Sequence, residues 1–135
     1  MTNDELIAPL AEFISSKATD QVPDWQSSAV LVAFAGAEST VIAYVYDSNG
    51  SHIQIGLDEL PAKYWTVLRE HNRLSEEVVP LDIQIGICKS IHSRFPLVVS
   101  YVEQDYAGRN LRMPLSDIDR DEIGRKVRPD CAQVD

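Results

Sequence analysis

Residues 44–56 read YVYDSNGSHIQIG, and two strands joined by a tight turn is the reading that organises the rest of the chain. Asn49-Gly50 is the dipeptide that most readily takes the positive φ angles of a hairpin turn. Before it, TVIAYVYD (residues 40–47) is rich in β-branched and aromatic residues, which favour a pleated surface. After it, Ile53 and Ile55 alternate with His52 and Gln54, so the isoleucines share one face of a strand. Upstream, AVLVAFA (residues 29–35) is an apolar run of strand length, closed by the turn residues Gly36-Ala37-Glu38-Ser39. Three consecutive strands, a meander, follow from these patterns.

Working outward, residues 3 to 17 carry Leu6, Ile7, Leu10, Phe13 and Ile14 at helical spacing, with Asn3 as cap and Asp4 and Glu5 in the first turn. Pro9 lies past that turn, where it removes a donor and crowds the preceding carbonyls, so the helix is expected to bend there or to start later. A second helix is expected from Asp58, with Pro61 near its first turn and Leu60, Tyr64, Trp65 and Leu68 on one stripe to about residue 73. Leu81, Ile83, Ile85 and Ile87 alternate with Asp82, Gln84, Gly86 and Cys88 in a half-buried strand. Lys89 to Arg94 read as a loop, and Phe95, Leu97, Val99 and Tyr101 alternate in a further strand. Ser116 caps a short last helix carrying Ile118 and Ile123. The order predicts a single α+β domain over residues 1–135, with an antiparallel sheet of about five strands, helices packed on one face, and a flexible tail over residues 125–135.

Size and composition agree. The 135 residues match one domain of roughly 100–150 residues, and no apolar run reaches the ~20 residues of a membrane span. Met1 to Glu5 has neither the basic region nor the apolar core of a signal peptide. These features predict a cytoplasmic protein, in which Cys88 and Cys131 are free and reduced.

Charge is unevenly spread. The net charge is −9 and the isoelectric point about 4.7. Residues 1 to 62 hold nine acids and a single base, Lys17, whereas residues 63 to 135 hold twelve acids and eleven bases. Such a field repels nucleic acid and anionic lipid and attracts a basic protein.

Motifs for chemistry are scarce. The chain has no G-x-S-x-G, H-E-x-x-H, G-x-x-x-x-G-K-[ST] or G-x-G-x-x-G. His52, His71 and His92 are scattered, and His52 reads as a strand surface residue. Cys88 and His92 do not share a strand face. The acid string from Asp117 to Glu122 has Glu122 and Arg128 where a calcium loop needs glycine and a closing glutamate, so it reads as the start of a helix. Tyr44, Tyr46, Trp65 and Tyr101 lack the basic groove of a nucleic-acid stacking platform. The reading is non-catalytic, with no cofactor and no metal. A small enzyme whose residues meet only in the fold is the outlying option.

Pro23-Asp24-Trp25 after a first helix, the strand Val41 to Asp47 and the Gly50 hairpin together resemble the small acidic immunity proteins of bacterial toxin systems, YezG-like antitoxins in particular. The resemblance covers residues 5 to 75 and implies a non-catalytic protein that binds and blocks a toxin domain, often a basic nuclease or other hydrolase. Contacts are then expected from the base-poor half: Asp20, Asp24, Glu38, Asp47, Asp58 and Glu59, with Tyr46 as an aromatic anchor. The alternative is a class I chaperone of bacterial type III secretion, which is similar in size, acidity and element order and binds an extended effector segment as a homodimer.

Overall fold

The computed structural model of the chain describes residues 1–35, 38–89, 95–101 and 117–131, with the backbone alone at 35, 38 and 117–119. Expectations for Gly36 and Ala37, for His92 in its loop, for the Ser116 cap and for the tail beyond Cys131 lie outside the described residues.

The hairpin forms where the sequence places it. Strands β2 (Glu38–Tyr46) and β3 (His52–Ile55) pair antiparallel, from Ala43 opposite Ile55 to Tyr46 opposite His52. The turn differs in kind from an Asn-Gly turn with two positive φ angles. Gly50 alone among the described residues has positive φ, at +84°. The Asp47 carboxylate accepts the backbone N–H groups of Asn49 (2.8 Å) and Ser51 (3.0 Å), and the Asp47 carbonyl accepts that of Gly50. An aspartate-closed turn ending in a left-handed glycine is the longer hairpin connection that keeps the twist of its strands.

Strand β1 (Ser27–Ala35) lies at the centre, paired with β2 on one side and β4 (Asp82–Cys88) on the other, and β5 (Leu97–Ser100) closes the far edge. The sheet order is β3-β2-β1-β4-β5 and every pairing is antiparallel. With the three helices among the described residues, this is the α+β domain expected.

Helix α1 (Asn3–Gln21) starts one residue earlier in its cap than expected. Thr2, not Asn3, accepts the Glu5 N–H, and the Glu5 carboxylate returns a bond to the Thr2 N–H. Pro9 sits inside the helix without shortening it. Pro9 is on the exposed side, so the carbonyl deprived of its partner can turn to water. Ile7, Leu10, Ile14 and Ala18 are fully buried beneath it. Helix α2 (Ala62–His71) begins after Pro61 rather than at Asp58, and buries Trp65 and Leu68. It runs back along α1: Asn72 and Asn3 exchange side-chain amide bonds, and the Tyr64 hydroxyl donates to the Leu6 carbonyl at 2.8 Å.

The expectation that helices pack on one face is corrected. Val30, Val32, Ala43, Val45, Ile83, Ile85 and Ile87 face α1 and α2. The opposite face, carrying Ala29, Leu31, Ile42, Tyr44 and Tyr46, is covered by Ile123 and Val127 from α3 (Asp117–Lys126) and the residue just after it. Strand β4 is therefore buried on both sides rather than half-buried. Of the alternating positions that suggested a wet face, Gly86 lies against Pro96 and Pro129 and Cys88 is bridged to Cys131, both in contact with the segment after α3.

The cysteines overturn a second expectation. Cys88 and Cys131 form a disulfide, with Cα atoms 5.7 Å apart. The chain from Arg125 to Cys131 is thereby tied down rather than a flexible tail: it ends α3, buries Val127 and is bridged to β4. The expectation of free, reduced thiols, drawn from the cytoplasmic reading, is thus corrected, and disulfides persist in oxidising compartments. Among the described residues no helix is long and apolar enough to cross a membrane.

Candidate protein-binding groove

Helix α1 presents two different flanks. Residues 8, 11, 15 and 19 recur at helical spacing beside the buried stripe, and all are small: Ala8, Ala11, Ser15 and Thr19. Because no bulky side chain fills that flank, a groove of about 580 Å³ opens between it and the end of β4. Its floor is Trp25, Ile87 and Phe95, and its rim carries Glu12, Asp20 and Lys89. The floor is held rigid. The Trp25 indole donates to the Thr19 hydroxyl at 3.2 Å, and the Phe95 N–H donates to the Asp4 carboxylate at 3.1 Å. Lys89 lies with its ammonium 5.5 Å from the centre of the Trp25 ring.

The other flank of α1 faces α2 and is closed. There Lys17, the only base of the first 62 residues, pairs with Glu59 at 2.9 Å and donates to the Gly56 carbonyl. The Lys17 ammonium holds the Glu59 carboxyl below its ordinary range through that hydrogen bond. Lys17, the one base of α1, is thus paired away from the groove, and Lys89 is a base that lines it.

The residues expected to bind a partner divide into distinct groups. Asp20 and Asp24 are exposed at the end where α1 runs into β1, and the hairpin turn joins them there. The Ser48 hydroxyl donates to Asp24 at 2.8 Å and lowers its carboxyl below the usual value. Asp47, next to Ser48, is occupied in closing the turn. Glu38 pairs with Ala35 at the other end of β1, eight pairings from Ser27 opposite Tyr46, or about 26 Å along the strand. Its side chain lies outside the described residues. Asp58 and Glu59 are exposed on the α2 side. The structure therefore gathers Asp20, Asp24 and Asp47 and leaves Glu38, Asp58 and Glu59 apart.

Tyr46 is corrected. It is fully buried, and its hydroxyl donates to the Gly124 carbonyl of α3, so it has no surface to offer as an anchor. Tyr44 is its neighbour in role, donating to the Arg120 carbonyl at 2.6 Å. Burial pushes the Tyr44 phenol up to about 12 and raises that of Tyr46 as well. His52 is likewise part of this lock rather than a surface residue: it pairs with Asp121 at 3.0 Å and lies edge-on to the Tyr44 ring. Gly124 lets α3 come this close, since a Cβ there would meet the His52 Nε2 and Tyr44 ring atoms at 2.7 Å. Of the acid string, Asp121 serves this docking through His52 and also pairs with Arg125, whereas Glu122 pairs with Lys126 within α3.

Sequence reasoning missed Glu12, Trp25, Phe95 and Lys89 as groove residues. The recoverable signal was the run of small residues at helical spacing on the flank of α1, beside a tryptophan. No protein-family model matches the chain, and no curated protein matches it.

Proposed function

We propose that this is a non-catalytic binding protein of the immunity type, which captures a basic domain of another protein through the acidic end of the α1 side. One observation carries the reading: the groove beside α1 is rimmed by Glu12 and Asp20, with Asp24 adjoining, while Lys17 is spent on Glu59. A cationic cleft that normally meets phosphates is complementary to such a surface. Electrostatic steering would speed capture, which suits an inhibitor acting before damage is done. The buried tyrosines and the His52–Asp121 pair have a structural use in holding α3, and the groove beside α1 combines a ligand-sized concavity with acids on its rim.

Co-purification from the native cell, followed by titration of any recovered basic domain at low and high salt, tests the proposal. Support is a basic hydrolase or nuclease domain whose activity disappears on binding and whose affinity falls as salt screens the contacts. A salt-insensitive obligate dimer holding an extended apolar segment would instead establish the secretion-chaperone reading.

A further inference from the structure

Resting on that reading, we infer that the groove between α1 and the end of β4 receives one extended basic segment of the partner, with an apolar side chain against Trp25 and Phe95 and an arginine or lysine between Glu12 and Asp20. Three observations converge on this occupant. The first is size: about 580 Å³ falls within the roughly 300–1,000 Å³ of clefts that enclose a compact ligand, which suits a few residues of peptide and excludes a folded domain. The second is the wall. Ala8, Ala11 and Ser15 let a partner backbone approach α1 closely, and the hydroxyls of Ser15 and Ser16 offer acceptors and donors to peptide groups.

The third is charge. Glu12 and Asp20 are exposed, and neither is in an ion pair with a described residue. Eight residues apart on α1, they lie roughly 12 Å from each other along the helix, and a basic side chain entering between them meets both fields. Lys89 is the base on the same rim, and it is drawn over the Trp25 ring and beside Asp24. It leaves the α1 side negative and repels a second cation from the β4 side, which fixes the direction from which a basic residue can enter. An acidic or nucleic-acid ligand would face Glu12 and Asp20 directly and is disfavoured.

The test is an amide-resolved NMR titration of the intact, oxidised protein with a capped peptide of alternating leucine and arginine. Peptides with glutamate or with glutamine in place of arginine are the comparisons. The expected result is saturable shifts confined to Ala8, Ala11, Ser15, Thr19 and the Trp25 indole N–H, seen with the arginine peptide alone. Glu12→Lys with Asp20→Lys should weaken binding roughly tenfold or more, as two surface charge contacts become two repulsions. Glu12→Gln with Asp20→Asn should weaken it by less. Both pairs are on exposed positions, and an unchanged spectrum outside the groove establishes that each variant is folded.

Shifts scattered over Asp24, Asp47 and Asp58 and indifferent to both variants would overturn the groove while leaving an acidic capture surface intact. Equal binding of the glutamine peptide would overturn the charge selection and favour an apolar-segment binder. No saturable shift with the arginine peptide would overturn the inference outright. A co-purified basic domain that binds the Glu12→Lys, Asp20→Lys protein as tightly as the parent would also sink it, without touching the immunity reading.

Discussion

Breaking the bridge between Cys88 and Cys131 is the perturbation with the largest calculable effect. The two cysteines are 43 residues apart in sequence, and closing a loop of that length in the unfolded chain removes entropy worth about 4 kcal/mol at room temperature. Unfolding a 135-residue domain releases roughly 2.1 cal/mol/K per residue, so 4 kcal/mol corresponds to a fall in Tm of about 14 °C. What else holds the C-terminal segment is limited: Ile123 and Val127 bury against the sheet, and Tyr44, Tyr46 and His52 supply polar contacts. Loss of the bridge should therefore also raise amide exchange in residues 120–127 before the sheet opens. The assay is thermal unfolding by circular dichroism of the oxidised protein, the reduced protein and Cys131→Ser. Reduction and Cys131→Ser should agree, since Cys131 lies outside the main core, whereas Cys88→Ala adds a loss of packing at a buried position. A Tm change below about 3 °C on reduction would refute the entropic argument. Two alkylatable thiols in protein purified under air would refute the pairing itself.

Three further outcomes follow from the packing. Gly124→Ala places a methyl 2.7 Å from His52 and Tyr44 atoms; overpacking of this kind costs roughly 1–3 kcal/mol, and denaturant unfolding should show it with the sheet retained. Thr2→Ala removes the Glu5 N–H acceptor at the start of α1 and should cost about 1 kcal/mol, read by the same assay. Alkaline pH should destabilise the fold. The Tyr44 and Tyr64 phenols are raised by burial to about 12 against an unfolded value near 10. The folded state thus keeps protons that the unfolded state gives up, and the stability present below about pH 10 is lost as pH rises toward 12. Urea midpoints measured from pH 8 to 12 should decline only above about pH 10, and a midpoint flat to pH 12 would contradict the assignment.

What the sequence disclosed, and what it hid, has a physical pattern. The hairpin around Gly50, the alternation of Ile83, Ile85 and Ile87, and the stripe of Ile7, Leu10 and Ile14 are local signals, and each became the element expected. The strand order is non-local: nothing in the β4 sequence says that it pairs with β1 and places that strand at the centre. Helix α3 was hard to weigh because Ile123 and Val127 are its buried apolar contacts with the sheet. Without knowing that it covers a face, Tyr46 reads as an exposed aromatic and His52 as a surface histidine. The same ignorance made Cys131 a tail residue and hid its partner 43 residues upstream. The acidic bias was legible from composition, but its partition was not. Lys17 selects Glu59, Ser48 selects Asp24, and the Asp47 turn uses its own carboxylate, so identical residue types end with different availability.

Charge reversal at the α1 end bears most directly on the account. For a basic domain co-purified with this protein, affinity should be measured by calorimetry at low and high salt for the parent, for Asp20→Lys with Asp24→Lys, and for Asp58→Lys. High salt and the Asp20, Asp24 pair should each weaken binding strongly, by tenfold or more as an order of magnitude, while Asp58→Lys should change it little. Equal losses at Asp58 and at the α1 end, or an affinity indifferent to both salt and reversal, would contradict capture through this acidic surface.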